Sequence, residues 1–414
     1  MARKAVITGL GIVSPIGIGH QRFWKAAVSG TSGLGTPQSI SAARLPAESR
    51  IVGEVKDFRP RDWMPSQVYR SAGRFSQFAI AAARMAEEDS GLSFDRLSSE
   101  EVHVAIGTSV NGHADVAEHN FQKFLTGQDV PVWAALEYPA HAATGHVAIG
   151  IRANGHTTTF ASACAAGLES IAWGARSIQH GTATTAVVGG TEAPLSDFIL
   201  EVFHSVGVLA RWTGAPSHAS RPFDGRRSGL VLAEGAAVVV VEEEQQAIRR
   251  GARIYARVLG AASATEGIHL RKLDPSGKIV ERVIRLAVRD AGLQLSDIDY
   301  ICAHGNSMPD YDAAETAGIK GAFGKRAWNI PVSSIKSMCG QALAASSAMQ
   351  VVAAALAIDH DVIPPTINYE VPDPGCDLDY VPNRARVARV RTALILAHSL
   401  GGAHVAMVLG SPTA

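Results

Sequence analysis

No charge of either sign dominates this chain of 414 residues: 38 lysines and arginines stand against 38 aspartates and glutamates, a formal net charge of zero. With no charged block either, nucleic acid or an anionic membrane is not indicated as the main partner, although a local basic patch for an acidic partner remains compatible with the balance. Cysteine is scarce. Cys164, Cys302, Cys339 and Cys376 are the only four, and they show neither C-x-x-C pairing nor metal-ligand spacing. That argues against a metal site and fits a cytoplasmic protein with reduced thiols. Long apolar runs are missing too. The opening MARKAVITGLGIVSP has one short run with Gly and Pro close behind, which is no signal peptide. No stretch reaches the roughly 18 apolar residues of a membrane span. A low-complexity linker is also absent, so the parts of the chain are not expected to swing freely.

What is present is a well-buried globular composition, 47% hydrophobic with only 6% aromatic, rich in Ala, Val and Gly. The length exceeds the size at which one core usually stops growing, so two core units are expected. Several short runs read as buried strands: AVIT after Lys4, VHVAIG from Val102, TTAVVGG from Thr184, AAVVVVE from Ala236, YICA from Tyr300 and TALILA from Thr392. They lack the alternation of a half-wet sheet and imply helices on both faces. Leu168, Ile171, Ala172, Ala175 and Ile178 recur at three- and four-residue spacings, one face of a helix. ALAASSAMQVVAAALAI after Gln341 is apolar nearly all round, the pattern of a helix buried between layers.

The same unit looks written twice. VHVAIGTS, then TTTFASACAAGLESIAWGARSI, then TTAVVGG is answered by IDYICAHGNS, then IPVSSIKSMCGQALAASSAMQVVAAAL, then TALILAHSLGG. This predicts an α/β chain of two duplicated halves, residues 1–250 and 251–414, with the border near 242–254, whose charged composition suits a surface helix or connector. About residues 109–150 have no counterpart in the second half. They read as an insertion, a lid or a subunit contact.

Cys164 sits where a Thr-rich strand turns into a helix. A free cysteine more often packs as a small hydrophobe. At such a corner, however, free N–H groups and the helix dipole favour a thiolate, and a nearby amide supplies half an oxyanion hole. Ala161, Ser162, Ala163, Ala165, Ala166 and Gly167 leave room around the sulfur. Partners must come from elsewhere. His304 follows a strand, with Asp312 and Glu315 close behind; turn capping ahead of an acid-rich helix start accounts for it equally well. Lys336 and Gln341 lie at the corner related to that of Cys164. A lysine ahead of a buried helix needs a partner, for which Asp312 or Glu315 are the candidates. SLGGAH makes a Gly-rich turn between two apolar strands, where a ligand can approach the backbone closely.

These segments, in this order and over nearly the whole length, resemble the β-ketoacyl-acyl-carrier-protein synthases of types I and II, polyketide ketosynthases included. AVITGLGIVSPIG resembles the family's opening and ASACAAG its cysteine corner. RPFDGRRSGLVLAEGAAVVVVE resembles its central motif, AHGNSMPDYDAAE its first histidine motif and SSIKSMCGQ its lysine motif. PPTINYEVPDPGCDLDYVPN resembles its late loop. The resemblance implies a thiolase-like five-layer α-β-α-β-α fold and a dimer, a homodimer or a heterodimer with a ketosynthase-like subunit. It implies no tightly bound cofactor: substrates arrive on the phosphopantetheine of an acyl carrier protein. Cys164 would carry the acyl chain, His304 would bind the malonyl thioester carbonyl, and Lys336 and Glu315, with Asp312 in support, would hold the site together. The amides of Cys164 and Leu400 would form the oxyanion hole. Asn306, Met308, Ser399, Gly401 and Gly402 would stand along the pantetheine arm.

Three departures fall in this site. Gln341 stands where the family has a second histidine, Asn306 and Met308 where it has two threonines, and SLGGAH is shorter than the family's turn and lacks its aromatic gate. An amide NH2 can still donate where an imidazole N–H would. The expectation is a carrier-dependent β-ketoacyl synthase of a polyketide or specialised fatty-acid pathway, catalysing decarboxylative condensation with malonyl-carrier. The alternatives are a relative that acylates Cys164 without decarboxylating, as an acyltransferase or cyclising enzyme, and a chain-length-factor-like partner subunit.

Overall fold

The uninterrupted apolar runs become sheet interior. The structure is a computed structural model that describes residues 3–94 and 101–412. Its strands are β1 (Ala5–Ser14), β2 (Gly17–Ile18), β3 (Val102–Gly107), β4 (Thr157–Phe160), β5 (Thr185–Glu192), β6 (Gly235–Glu243) and β7 (Ala256–Thr265), followed by β8 (Tyr300–Cys302), β9 (Val332–Ser333), β10 (Val362–Ile363), β11 (Arg386–Val387), β12 (Thr392–His398) and β13 (Ala403–Gly410). Every residue of β1, β3, β5 and β12 is buried. Strands covered on both faces need no polar side to show to water.

The main sheet runs β4-β3-β5-β6-β1-β7-β13-β12-β8-β9, with β2 folded back on β1 and a separate β10–β11 pair. Read outward from its middle, the order is β1-β6-β5-β3-β4 on one side and β7-β13-β12-β8-β9 on the other, the same connection pattern twice. The two runs join through only a short antiparallel contact, Ala5–Ile7 with Ala256–Val258. Two helices, Ala166–Gln179 and Leu343–His360, lie between the runs, whereas Arg74–Ser90 and Lys278–Asp290 cover the outer faces. That is the five-layer α-β-α-β-α arrangement. β7 and β9 are strands that the apolar runs alone do not mark.

The middle layer follows from small residues. A Cβ on Gly167 would stand 2.4 Å from the carbonyl oxygen of Ala344, and one on Gly190 2.6 Å from the same oxygen. The two central helices and β5 therefore meet backbone to backbone. Ser347 Oγ accepts from the Leu168 amide at 3.1 Å, which satisfies one free N–H of the first helix. Leu168, Ile171, Ala172, Ala175 and Ile178 are all buried, as their spacing predicts. Leu343–His360 is the one helix among the described residues long and apolar enough to cross a membrane, yet 89% of its apolar window is buried inside the protein. It is a core helix.

The border segment is less of a connector than its composition suggests. Glu242 and Glu243 end β6, and only Glu244–Arg249 is helical before β7 begins. Glu242 is tolerated there because Thr8 and Arg250 bond its carboxylate. Residues 109–150 hold short helices (Ala117–Leu125, Ala134–Glu137, Ala142–Gly150) that leave Phe121, Phe124 and Leu136 largely exposed.

Candidate active site

The corner after β4 is tight. Ala163 takes φ +53°, a left-handed conformation that costs a non-glycine residue energy, and a turn of 3-10 helix at Ala163–Ala165 leads into Ala166–Gln179. Cys164 is 7% exposed and lies in an apolar cluster with Ile199, Leu200, Met308, Tyr311 and Leu343, against which Leu400 packs. The expectation of a favoured thiolate is corrected by this burial. Desolvation pushes the thiol up to about 11, and the nearby Lys336 ammonium and Gln341 side chain offset only part of that. The helix terminus does not outweigh the loss of water around a charged sulfur.

The turn between β12 and β13 stitches onto this corner. Ser399 Oγ accepts from the Ala165 amide at 2.9 Å and donates to the Ser162 carbonyl at 2.7 Å. Gly401 and Gly402 sit at φ +93° and +79°, and their amides donate to Leu270 and Ser399 carbonyls. Within the turn, the Leu400 amide is the one that donates to nothing among the described residues. Thus, of the residues expected along the pantetheine arm, the Ser399 hydroxyl is spent on the Cys164 corner, the Gly401 amide on Leu270 and the Gly402 amide within the turn.

His304 follows β8 and is 1% exposed. Its Nδ1 accepts from the His398 amide at 3.2 Å, which places the ring proton on Nε2. Nε2 has no partner among the described residues. Desolvation, with Lys336, His398 and His404 nearby, drives its pKa well below the usual imidazole value. The ring is therefore a neutral, fixed-tautomer N–H donor. Glu315 accepts from the amides of His304 (2.7 Å) and Gly305 (2.8 Å). Asp312 accepts from those of Asn306 (3.0 Å) and Phe223 (2.8 Å), and burial lifts it to about 7. These two carboxylates hold the loop.

Lys336 also departs from expectation. Among the described residues no carboxylate pairs with it directly: its Nζ donates to the His304 carbonyl at 2.7 Å and to Gln350 Oε1 at 2.9 Å. Gln350 turns its NH2 on the carbonyls of Ala303 (2.8 Å), Leu396 (3.0 Å) and Cys302 (3.2 Å). A side-chain amide can accept from the ammonium through its oxygen while its NH2 donates to carbonyls. Asp312 and Glu315 are spent on backbone amides, and with neutral partners Lys336 falls to about 8 through burial. One glutamine in an otherwise apolar helix gives little sequence signal of such a role.

Gln341 is pinned by its backbone to residues 231–233, its amide on the Val231 carbonyl (2.7 Å) and its carbonyl accepting from Ala233 (2.9 Å). Its side chain faces the Cys164 sulfur and favours its ionised form, but neither amide atom completes a hydrogen bond among the described residues. Met308 packs in the Cys164 cluster, and Asn306 Oδ1 accepts from the Met308 amide at 3.1 Å. The site therefore brings together a buried thiol and two buried, unspent polar side chains, His304 and Gln341. Buried polar groups are rarely left so.

One family covers most of the chain. Residues 2–247 match the model described as "Beta-ketoacyl synthase, N-terminal domain", and residues 255–370 the corresponding C-terminal domain. The chain belongs to the β-ketoacyl synthase family. This β-ketoacyl synthase is 39% identical to the tetracenomycin polyketide synthase ketoacyl synthase alpha subunit of Streptomyces glaucescens, over 99% of this chain and 97% of that protein. It is 37% identical to a 3-oxoacyl-[acyl-carrier-protein] synthase 2 of Synechocystis, over 98% and 97%. Its fold matches a type II polyketide acyl-carrier protein complexed with its ketosynthase at TM-score 0.92 and 32% identity, covering 99% of this chain and 100% of that one. The ishigamide ketosynthase/chain length factor matches at TM-score 0.92 and 34% identity, with the same coverage.

Proposed function

We propose that this synthase condenses an acyl group on Cys164 with a malonyl group on an acyl carrier protein, losing CO2, with Gln341 serving where its relatives use a second histidine. The observation that carries this reading is the pair of buried groups without partners among the described residues, the His304 Nε2–H and the Gln341 amide, the latter beside the Cys164 sulfur. A donor already desolvated and aimed stabilises a developing oxyanion without reorganisation, and removing one such donor costs about 10²–10³ in rate.

The steps follow from that geometry. The Cys164 sulfur attacks the acyl thioester and the carrier's thiol departs with the cysteine proton, the amides of Cys164 and Leu400 holding the oxyanion. The malonyl C–CO2 bond then breaks, and its electrons form an enolate whose oxygen accepts from His304 Nε2–H and Gln341 Nε2–H. The enolate carbon attacks the Cys164 thioester. Collapse expels the sulfur as a thiolate, which takes one proton from solvent water to restore the thiol.

The carrier protein supplies both substrates on phosphopantetheine, with Asn306 and Met308 beside the arm, and no tightly bound cofactor takes part. Similarity to polyketide and fatty-acid enzymes alike supports a reaction in one of those pathways, and the reading puts it in the cytoplasm. The chain divides at 250/251 into two halves, and the insertion at about 109–150, with Phe121, Phe124 and Leu136 exposed, is covered by a second ketosynthase-like chain, identical or not. The test is to load the protein from acyl-carrier, add malonyl-carrier, and follow intact mass and products. Acyl mass on Cys164 followed by a product two carbons longer supports the reading. Acyl mass without CO2 would make the protein an acyltransferase, and no acyl mass a partner subunit.

A further inference from the structure

Four adjacent strand ends place a row of acid and imidazole groups beneath the site. His304 follows β8. His398 ends β12 and stands directly across from His404 in β13, and Glu266 follows β7. His404 Nε2 lies 3.1 Å from Glu266 Oε1, and the two Nδ1 atoms of His404 and His398 are 2.8 Å apart. His398 Nε2 lies 3.4 Å from Glu315 Oε1 with no hydrogen-bond partner among the described residues. The ring centroids of His304 and His398 are 5.3 Å apart. Both rings of the pair are fully buried. The side chains of Glu266, His404 and His398 have no part in the chemistry described above.

Proton counting gives the row two arrangements. With Glu266 ionised, His404 donates from Nε2 to it, His398 Nδ1–H donates to His404 Nδ1, and His398 Nε2 is left as a bare lone pair facing Glu315. One added proton on Glu266 reverses every bond. Glu266 then donates to His404 Nε2, His404 Nδ1–H donates to His398 Nδ1, and His398 Nε2–H donates to Glu315 Oε1. We propose that Glu266, His404 and His398 are positioning residues forming a proton relay: from the arrangement with Glu266 protonated, Glu266 passes its proton to His404 Nε2, His404 passes Nδ1–H to His398 Nδ1, and His398 passes Nε2–H to Glu315 under His304 while the thioester oxygen is negative. The proton returns by the same route once the enolate carbon has formed its new bond, so none is gained or lost.

The surroundings suit this. Burial raises Glu266 above the usual carboxylate range and holds His404 down to about 3, so His404 passes a proton by exchanging tautomers. The other groups facing the row are Asp274, whose amide donates to Glu266 Oε2, Tyr311, whose hydroxyl donates to the Ser399 carbonyl, and Lys336, one carbonyl from His304. Cys164 lies across the turn.

This inference rests on the decarboxylating reading, so its test has one arm in the resting protein. In Glu266→Gln the new side chain can accept from the Asp274 amide and donate to His404 Nε2, which freezes the loaded arrangement with no transferable proton. Nitrogen-15 NMR of histidine in the resting wild type should show His398 and His404 changing tautomer together in one titration, and Glu266→Gln should show no change. In single turnover, wild-type CO2 release from malonyl-carrier should decline with rising pH and slow in D2O; Glu266→Gln should lose both effects. His404→Phe, which cuts the row, should lose both as well. A wild type whose tautomers do not move, or a Glu266→Gln variant with the wild-type pH profile and isotope effect, would overturn the relay. Moving tautomers in a wild type that releases no CO2 would instead overturn the condensation reading, and with it the relay's role in the reaction.

Discussion

Removing the Lys336 amine should have a cost that depends on pH. Lys336 is buried, bonds only neutral oxygens, and titrates at about 8 against an ordinary 10.5. Its folded pKa lies below the unfolded one, so folding disfavours the ammonium: the stabilising state is fully present above about 10.5 and lost as pH falls through about 8. The drop from 10.5 to about 8 corresponds to about 3 kcal/mol at pH 7, and about 2 kcal/mol of that returns by pH 9.5. Lys336→Met removes the titration but leaves the His304 carbonyl and Gln350 Oε1 unpaired, each at about 1–3 kcal/mol. The variant should therefore be close to wild type in stability at pH 7 and about 2 kcal/mol worse relative to wild type at pH 9.5 than at pH 7. Urea unfolding of both proteins at the two pH values measures this, since other titrating groups cancel in the difference. A difference that stays constant across that range would refute the account of Lys336 as a charge held by neutral partners.

Gln341→Ala should slow CO2 release from malonyl-carrier by about 10²-fold or more while acylation of Cys164 proceeds nearly unchanged, read by single-turnover CO2 and intact mass. Gln341→His should keep activity, since Gly340, Ala342 and Ala345 are small neighbours in sequence, and an inactive, fully folded variant would contradict that. Iodoacetamide should label Cys164 first, because it is 7% exposed whereas Cys302, Cys339 and Cys376 are 0–2%, and its rate should climb with pH toward about 11, where the thiolate forms. Gly167→Val should unfold at markedly lower urea, since even a Cβ there would stand 2.4 Å from the Ala344 carbonyl oxygen; an unchanged midpoint would show that the central helices can separate.

The strand runs were legible because a strand covered on both faces must be apolar throughout, and β1, β3, β5 and β12 are. The cysteine corner and the buried helix after Gln341 were legible for a similar local reason, a change of period and an absence of polar faces. Charges were not. Whether Lys336 finds Glu315 or Gln350 is decided by which strand and helix pack together, and nothing local distinguishes the two. The Cys164 pKa depends on how completely water is excluded, which only the closed cluster of Ile199, Leu200, Met308, Tyr311 and Leu343 settles. His398 and His404 are six residues apart in sequence, and only the hairpin register makes them a facing pair.

The central claim is that a glutamine amide and a neutral His304 together suffice to support an enolate beside acylated Cys164. The direct measurement is single-turnover CO2 release from malonyl-carrier by protein already acylated on Cys164, with the products identified by mass. The account predicts one CO2 and one two-carbon-extended product per acylated site in the wild type, with His304→Ala slower than Gln341→Ala. An acylated protein that releases no CO2, or one whose rate is the same in Gln341→Ala, would contradict it.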